Sequence, residues 1–208
     1  ALTFVNGLFG DDESLHKQVE AGKKHYVGHE LRGSTLGIIG LGAIGSMLAE
    51  SAIQLGMNVV GFDPEITVDA AWRLPSQVKK AVSIDDLVKR CDFISLHVPL
   101  LPATKDLING DRVKLMKKGC ILLNFARDGI VNEKAVLDGL NDGKLHAYVC
   151  DFPSNLLRHH PRFVALPHLG ASTEEAEENC AIMVADQVRD YLENGNILNS
   201  VNFPNISM

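Results

Sequence analysis

The chain of 208 residues is short of most features that mark a membrane, secreted, metal-binding or nucleic-acid-binding protein. No apolar run reaches the ~20 residues needed to cross a bilayer. Residues 1–30 carry no basic start, apolar middle and small-residue cleavage site, so no secretory leader is read there. Only four cysteines occur, Cys91, Cys120, Cys150 and Cys180. None form a CxxC pair, which leaves zinc-knuckle and thioredoxin-like readings without support, and no metal site is expected. A reducing compartment, the cytoplasm, suits such thiols. With 20 basic side chains and a net charge of -6 there is no general pull on nucleic acid. The short cluster Lys114, Lys117 and Lys118 reads as a solvated helix face.

What is present is ordinary soluble composition, 46% hydrophobic and 22% charged, enough for one sizeable core with an appendage. Apolar strand candidates alternate with amphipathic helices, which predicts an α/β fold: a Rossmann-like, doubly wound parallel sheet with helices on both faces. The strands are expected at Thr35–Ile39, Asn58–Phe62, Phe93–Val98, Cys120–Asn124, His146–Asp151 and Phe163–Leu166. Their near-continuous apolarity suits burial on both sides. Ile44, Met47, Leu48, Ala52 and Leu55 recur at helical spacing, and Gly56 supplies a stop. A later helix is expected to start at Ser172, with Glu175 completing a capping box. Ala176, Cys180, Met183, Val184 and Val188 form its apolar face, and Asn194-Gly195 ends it. Residues 1–30 read as a helix plus connector, 31–195 as the main domain, and 196–208 as an extended exit segment.

The most specific motif is Gly37-Ile-Ile-Gly40-Leu-Gly42-Ala-Ile-Gly45. A lone GxGxxG is weak, but this one follows a buried strand, opens a helix, and is followed by a second strand ending at Asp63. Gly40 permits the tight turn, Gly42 removes the side chain that would fend off a pyrophosphate, and Gly45 lets the helix approach the sheet. Asp63 would accept hydrogen bonds from ribose hydroxyls and repel a 2′-phosphate, so the cofactor expected is NAD rather than NADP. His97-Val98-Pro99 closes another strand, at an end where open α/β sheets bind ligands, although position alone also suits a surface histidine. Arg127 in Asn124-Phe-Ala-Arg127 and His168 in Pro167-His-Leu-Gly-Ala-Ser-Thr173 are residue types that clamp a carboxylate and exchange a proton. Taken singly, the first also suits a surface ion pair and the second a helix entry.

These four ordered blocks, Leu36 to Gly45, His97 to Pro99, Asn124 to Arg127 and Pro167 to Thr173, resemble the signature segments of D-isomer-specific 2-hydroxyacid dehydrogenases. The resemblance implies that Arg127 binds the carboxylate and carbonyl of a small 2-hydroxy or 2-keto acid and that His168 is the general acid/base. It also implies that Gly40, Leu41, Gly42, Ala43, Ile44, Gly45, Asp63, His97, Val98, Pro99, Thr104, Asn124, Phe125, Ala126, Arg127, Asp151, His168 and Gly170 form the NAD site. A homodimer through residues 1–30 is implied as well. Two departures stand out. Between Asp151 and His168 no acid occurs, and Asn155 or Leu156 falls where the family carries the Glu that pairs with its His. Asp128 replaces the family's usual Gly after the Arg. The family's substrate lobe, made from ~100 residues before the cofactor domain, is not recognised here, so a fragment of a longer enzyme is expected. A non-catalytic NAD-sensing or dimerisation module is the alternative.

Overall fold

The computed structural model describes residues 2–200 and Asn202; Val201 and 203–208, part of the expected exit segment, lie outside the described residues, as does Ala1. Two units are distinguished, Ala1–Leu166 and Pro167–Met208. The first opens with helices α1 (Leu2–Asn6) and α2 (Asp12–Gly22) and a 3-10 turn at Lys23–Tyr26, where the sequence suggested one helix and a connector. Asp11 caps α2 by accepting the Ser14 N–H, and Gly10 with φ +123 separates the two helices.

Seven parallel strands follow: β1 (Thr35–Ile39), β2 (Asn58–Phe62), β3 (Lys79–Lys80), β4 (Phe93–Leu96), β5 (Cys120–Asn124), β6 (Leu145–Cys150) and β7 (Phe163–Ala165). They lie in the order β3-β2-β1-β4-β5-β6-β7. The connecting helices are α3 (Ala43–Gln54), α4 (Val68–Arg73), α5 (Ile84–Arg90), α6 (Gly110–Leu115) and α7 (Glu133–Asn141). Each central strand is apolar on both faces because each face meets a helix layer. Along β1, Leu36 and Ile38 pack in a cluster with Ala49 and Ala52 of α3, whereas Ile39 joins a larger cluster with Leu87 and Val88 of α5. Between them Gly37 admits α5: a β-carbon there would lie 2.5 Å from Leu87.

All six expected strands, β1, β2 and β4 to β7, coincide with the apolar runs within a residue or two. Strand β3 escapes notice because it is two exposed lysines pairing with Val60 and Gly61 at the sheet edge, with no hydrophobic signature. The lysine cluster is only partly helical. Lys117 and Lys118 lie beyond the end of α6, and Lys117 pairs with Asp92 instead of lying free on a helix face.

Asp92 joins three strand starts. Its Oδ2 accepts the Thr35 N–H at 2.8 Å and its Oδ1 accepts the Lys117 ammonium at 2.8 Å. Nearby, burial pushes the Cys91 and Cys120 thiols up to about 12, which makes them inert core residues.

The second unit is described by itself. Its turn Pro167–Ser172 leads into α8 (Glu174–Asn194), capped by the Thr173 hydroxyl on the Ala176 N–H. The cap therefore falls one residue later than the Ser172 expected from the capping-box pattern. Gly195, φ +75, ends the helix as its position foretells. No residue of α8 is buried, including the expected apolar face.

Burial opposes ionisation of Asp92, but the Lys117 hydrogen bond, the Thr35 N–H and the Lys117 charge outweigh it and hold the carboxyl below its ordinary value. A carboxylate with a depressed folded pKa adds stability above its unfolded pKa and loses it as pH falls through the folded one. Asp92→Asn should therefore lower the urea midpoint at pH 7, with the gap to wild type closing below the ordinary carboxylate pKa of about 4. An equal gap at pH 7 and at acid pH would show that the charge plays no part.

Candidate active site and cofactor cleft

Strand order reverses between β1 and β4: from β1 the chain builds outward through β2 and β3, and from β4 through β5 to β7. The loops leaving the carboxyl ends of β1 and β4 diverge, and a crevice opens between them. A cavity of about 350 Å³ lies there, lined by Gly42, Ala43, Ile44, Gly45, His97, Val98, Pro99, Phe125, Ala126 and Arg127. Ten residues expected at the cofactor site are thus gathered around one hollow.

Two of the glycines leave no room for a side chain. Gly40 adopts φ +93, and a β-carbon on it would strike the His97 carbonyl. A β-carbon on Gly45 would strike the Gly40 carbonyl. One on Gly42 would meet nothing within 4 Å, so it would project into the space a ligand would fill. The start of α3 adds a second observation. Helices α2, α4, α5, α6, α7 and α8 each have a side-chain N-cap, whereas Gly42 offers α3 none. The first N–H groups of α3 thus have no side-chain acceptor, beside a cavity and at the positive end of a helix dipole, as a bound diphosphate requires.

Asp63 has a part that spacing alone did not reveal. Its Oδ2 accepts the Leu41 N–H at 2.8 Å and its Oδ1 the Glu65 N–H at 2.9 Å. It braces the glycine turn from the end of β2. Leu41 itself is buried, its side chain packed over Gly61. Its contribution to the cleft is its backbone.

Other expected residues hold the walls. The Thr104 hydroxyl bonds the Pro99 carbonyl at 2.6 Å and accepts the Leu101 N–H at 2.7 Å, closing the loop after His97. Buried Asn124 lies under the turn that carries Arg127. Asp151 is buried just past the end of β6. The Arg127 guanidinium is exposed and rests on the Ala126 carbonyl at 2.7 Å. Asp128 turns one carboxylate oxygen onto the Gly129 N–H at 2.8 Å. Asn155 and Leu156 are exposed, while Leu157 between them and β7 is fully buried and anchors that loop. His168 and Gly170 belong to the second unit, exposed in the turn before α8.

Sequence reasoning overlooked Ser95, which is buried on β4 with its hydroxyl 2.9 Å from His97 Nε2. Two-residue alternation along Phe93-Ile-Ser-Leu-His97 was the available signal, since positions 95 and 97 share a face. Burial holds the His97 imidazole below its ordinary pKa, so it is neutral at pH 7. Missed too were Asp106 and Asn132, which join the loops after β4 and β5 through a 3.1 Å side-chain hydrogen bond. They lie 26 residues apart, and no local pattern pairs them.

Residues 2–170 match the family described as the D-isomer specific 2-hydroxyacid dehydrogenase, NAD binding domain. The chain belongs to that family. It is 40% identical over 196 residues to the D-3-phosphoglycerate dehydrogenase of Methanocaldococcus jannaschii, covering 91% of this chain and 37% of that protein. With the Haemophilus influenzae D-3-phosphoglycerate dehydrogenase it shares 41% over 192 residues, 86% of this chain and 45% of that one. The chain therefore spans less than half the length of these relatives. Among solved structures, NAD+-bound 3-phosphoglycerate dehydrogenase from Entamoeba histolytica superposes with a TM-score of 0.73 at 31% identity, over 85% of this chain and 57% of that one. A glyoxylate reductase from Paecilomyes thermophila gives 0.76 at 29%, over 90% and 58%. The cofactor of this domain is NAD, and the uncapped α3 start and the open space at Gly42 fit it.

Asp63→Asn should weaken NAD about tenfold, the scale of one charge-assisted hydrogen bond, and narrow the preference over NADP. Calorimetry with both dinucleotides tests this; an unmodified chain that binds NADP as well as NAD would refute the role of the carboxylate. Gly45→Ala should abolish NAD binding, because the new methyl group displaces the Gly40 carbonyl.

Proposed function

We propose that the protein is an NAD-dependent oxidoreductase acting on a small D-2-hydroxy acid, and that the acid is 3-phosphoglycerate, at the entry to serine biosynthesis. The observation that carries the reading is Arg127, an exposed guanidinium on the wall of the same cavity that holds the glycine turn. Bound NAD supplies the hydride acceptor or donor. Arg127 would grip the substrate carboxylate and polarise the carbonyl, and its fork of donors suits that planar anion. His168 would take the hydroxyl proton in oxidation and return it in reduction. Neutral His97, braced by Ser95, adds no charge to the cofactor wall. The D-3-phosphoglycerate dehydrogenase names of the relatives support the choice of substrate.

A second reading, an NAD-sensing module without turnover, is favoured by two features. No acid occurs between Asp151 and His168, where the family carries the Glu that pairs with its His. Asp128 also sets a negative charge next to the arginine meant to hold an anion.

The N-terminal segment exposes Val5, Phe9 and Val27, which supports a second copy of the chain as its partner. The buried, unpaired thiols of Cys91, Cys120 and Cys150 support a cytoplasmic setting. Among the described residues no helix is long and apolar enough to cross a membrane.

Kinetics on the full-length protein decide between enzyme and sensor. Arg127→Ala should cost about 100-fold in kcat/KM, as loss of charged hydrogen bonds does, with a much smaller fall in NADH affinity. Asp128→Gly should raise kcat/KM for anionic keto acids, more so at low salt. Protein that binds NADH yet turns over neither 3-phosphoglycerate nor any keto acid tried would leave the sensor reading.

A further inference from the structure

The Arg127 side chain is exposed, yet the backbone that presents it is held from inside the protein. Strand β5 ends at Asn124, which is 1% exposed at the end of an otherwise apolar strand. Its Oδ1 accepts the Ala126 N–H at 3.2 Å and its Nδ2 donates to the Arg127 carbonyl at 3.0 Å. One amide thus satisfies a donor before the arginine and an acceptor at it. Burying an amide is costly unless both ends are bonded, and both bonds here go to the Arg127 turn.

Behind the amide stands Tyr148 of β6, 4% exposed on the strand paired with β5. Its hydroxyl has the Asn124 amide and the Cys150 thiol as hydrogen-bonding neighbours, and burial pushes it up, so it stays protonated. On the far side of the arginine, the Asp106 N–H donates to the Gly129 carbonyl at 2.9 Å. Asp106 is held at φ +49, in the left-handed region that few non-glycine residues other than Asn and Asp adopt, and its carboxylate accepts from Asn132. The turn is therefore clamped at both ends before any substrate arrives.

We propose that Asn124 is a positioning residue for Arg127, steadied by the Tyr148 hydroxyl, so that this buried pair sets where the guanidinium can meet a carboxylate. The inference rests on the reading of Arg127 as the substrate clamp. A packing role alone would be met by an apolar residue at 124, as at Leu122 and Leu123 before it. A buried amide bonded on both sides of the arginine turn is explained by preorganisation, where a shift of about 1 Å can cost 100-fold in rate.

The test is a double-mutant cycle in the full-length protein, with keto-acid reduction and NADH binding both measured. Asn124→Ala should lower kcat/KM about 100-fold, mainly through KM, with a much smaller fall in NADH affinity. Tyr148→Phe, which removes only one oxygen and keeps the ring, should give a smaller loss in the same direction. In an Arg127→Ala background neither change should cost anything further, because residues that act through one another are not additive. Losses that multiply with Arg127→Ala, or falls in NADH affinity that match the falls in kcat/KM, would overturn the proposal and leave Asn124 a structural residue. If Asn124→Ala fails to fold, the Tyr148→Phe arm of the cycle decides by the same criterion. An Arg127→Ala protein with unchanged kcat/KM would instead refute the reading of Arg127, and the proposal with it.

Discussion

Where β1 and β4 end, the backbone of Gly40 passes His97 with no room for a side chain, and Gly45 brings α3 against the Gly40 carbonyl in the same way. This backbone-on-backbone contact draws the first turn of α3 over the end of the sheet. It leaves the first N–H groups of that helix facing a cavity instead of a capping side chain. The other described helices with an assigned cap spend a side-chain oxygen on their own N-terminus, from Asp11 on α2 to Thr173 on α8. The exception is the one helix whose N-terminus lines the cleft, and its orphan donors are what a diphosphate can satisfy.

Around that contact the polar residues brace backbone first and offer chemistry second. Asp63 holds the N–H groups of Leu41 and Glu65, Thr104 closes the loop from Pro99, and Asn124 ties the ends of the Arg127 turn. Each lies at or beyond the carboxyl end of a strand, where backbone groups leave the ladder and need new partners. Preorganisation of this kind keeps donors and charges in place without reorganisation when a ligand binds. It also makes the same residues hard to divide between stability and function.

Much of this could be read from local pattern. The strand–glycine turn–helix unit, the stop at Gly56 and the strand ending before Asp63 depend on neighbours within about thirty residues, the span of one βαβ unit. So do the buried thiols of Cys120 and Cys150, whose surroundings are their own apolar strands. The two lysines of β3 could not be recognised, because their strand character comes only from pairing with Val60 and Gly61. The start of α8 shifted from Ser172 to Thr173 because both residues can cap, and the geometry of the preceding turn chooses between them.

Residue order alone therefore determined the alternation of strands and helices, the position of the glycine turn before α3 and that of the acid just after β2. Each is encoded in short-range spacing of apolar, glycine and acidic residues. Tertiary structure decided the rest: that His97 from β4 and Phe125 to Arg127 from β5 share one cavity with α3, that Asp63 braces the turn it was expected only to accompany, and that Tyr148 backs Asn124 across a strand pair. The reason is that a parallel sheet brings together residues separated by a whole crossover helix, and nothing in the intervening sequence records which side chains will meet.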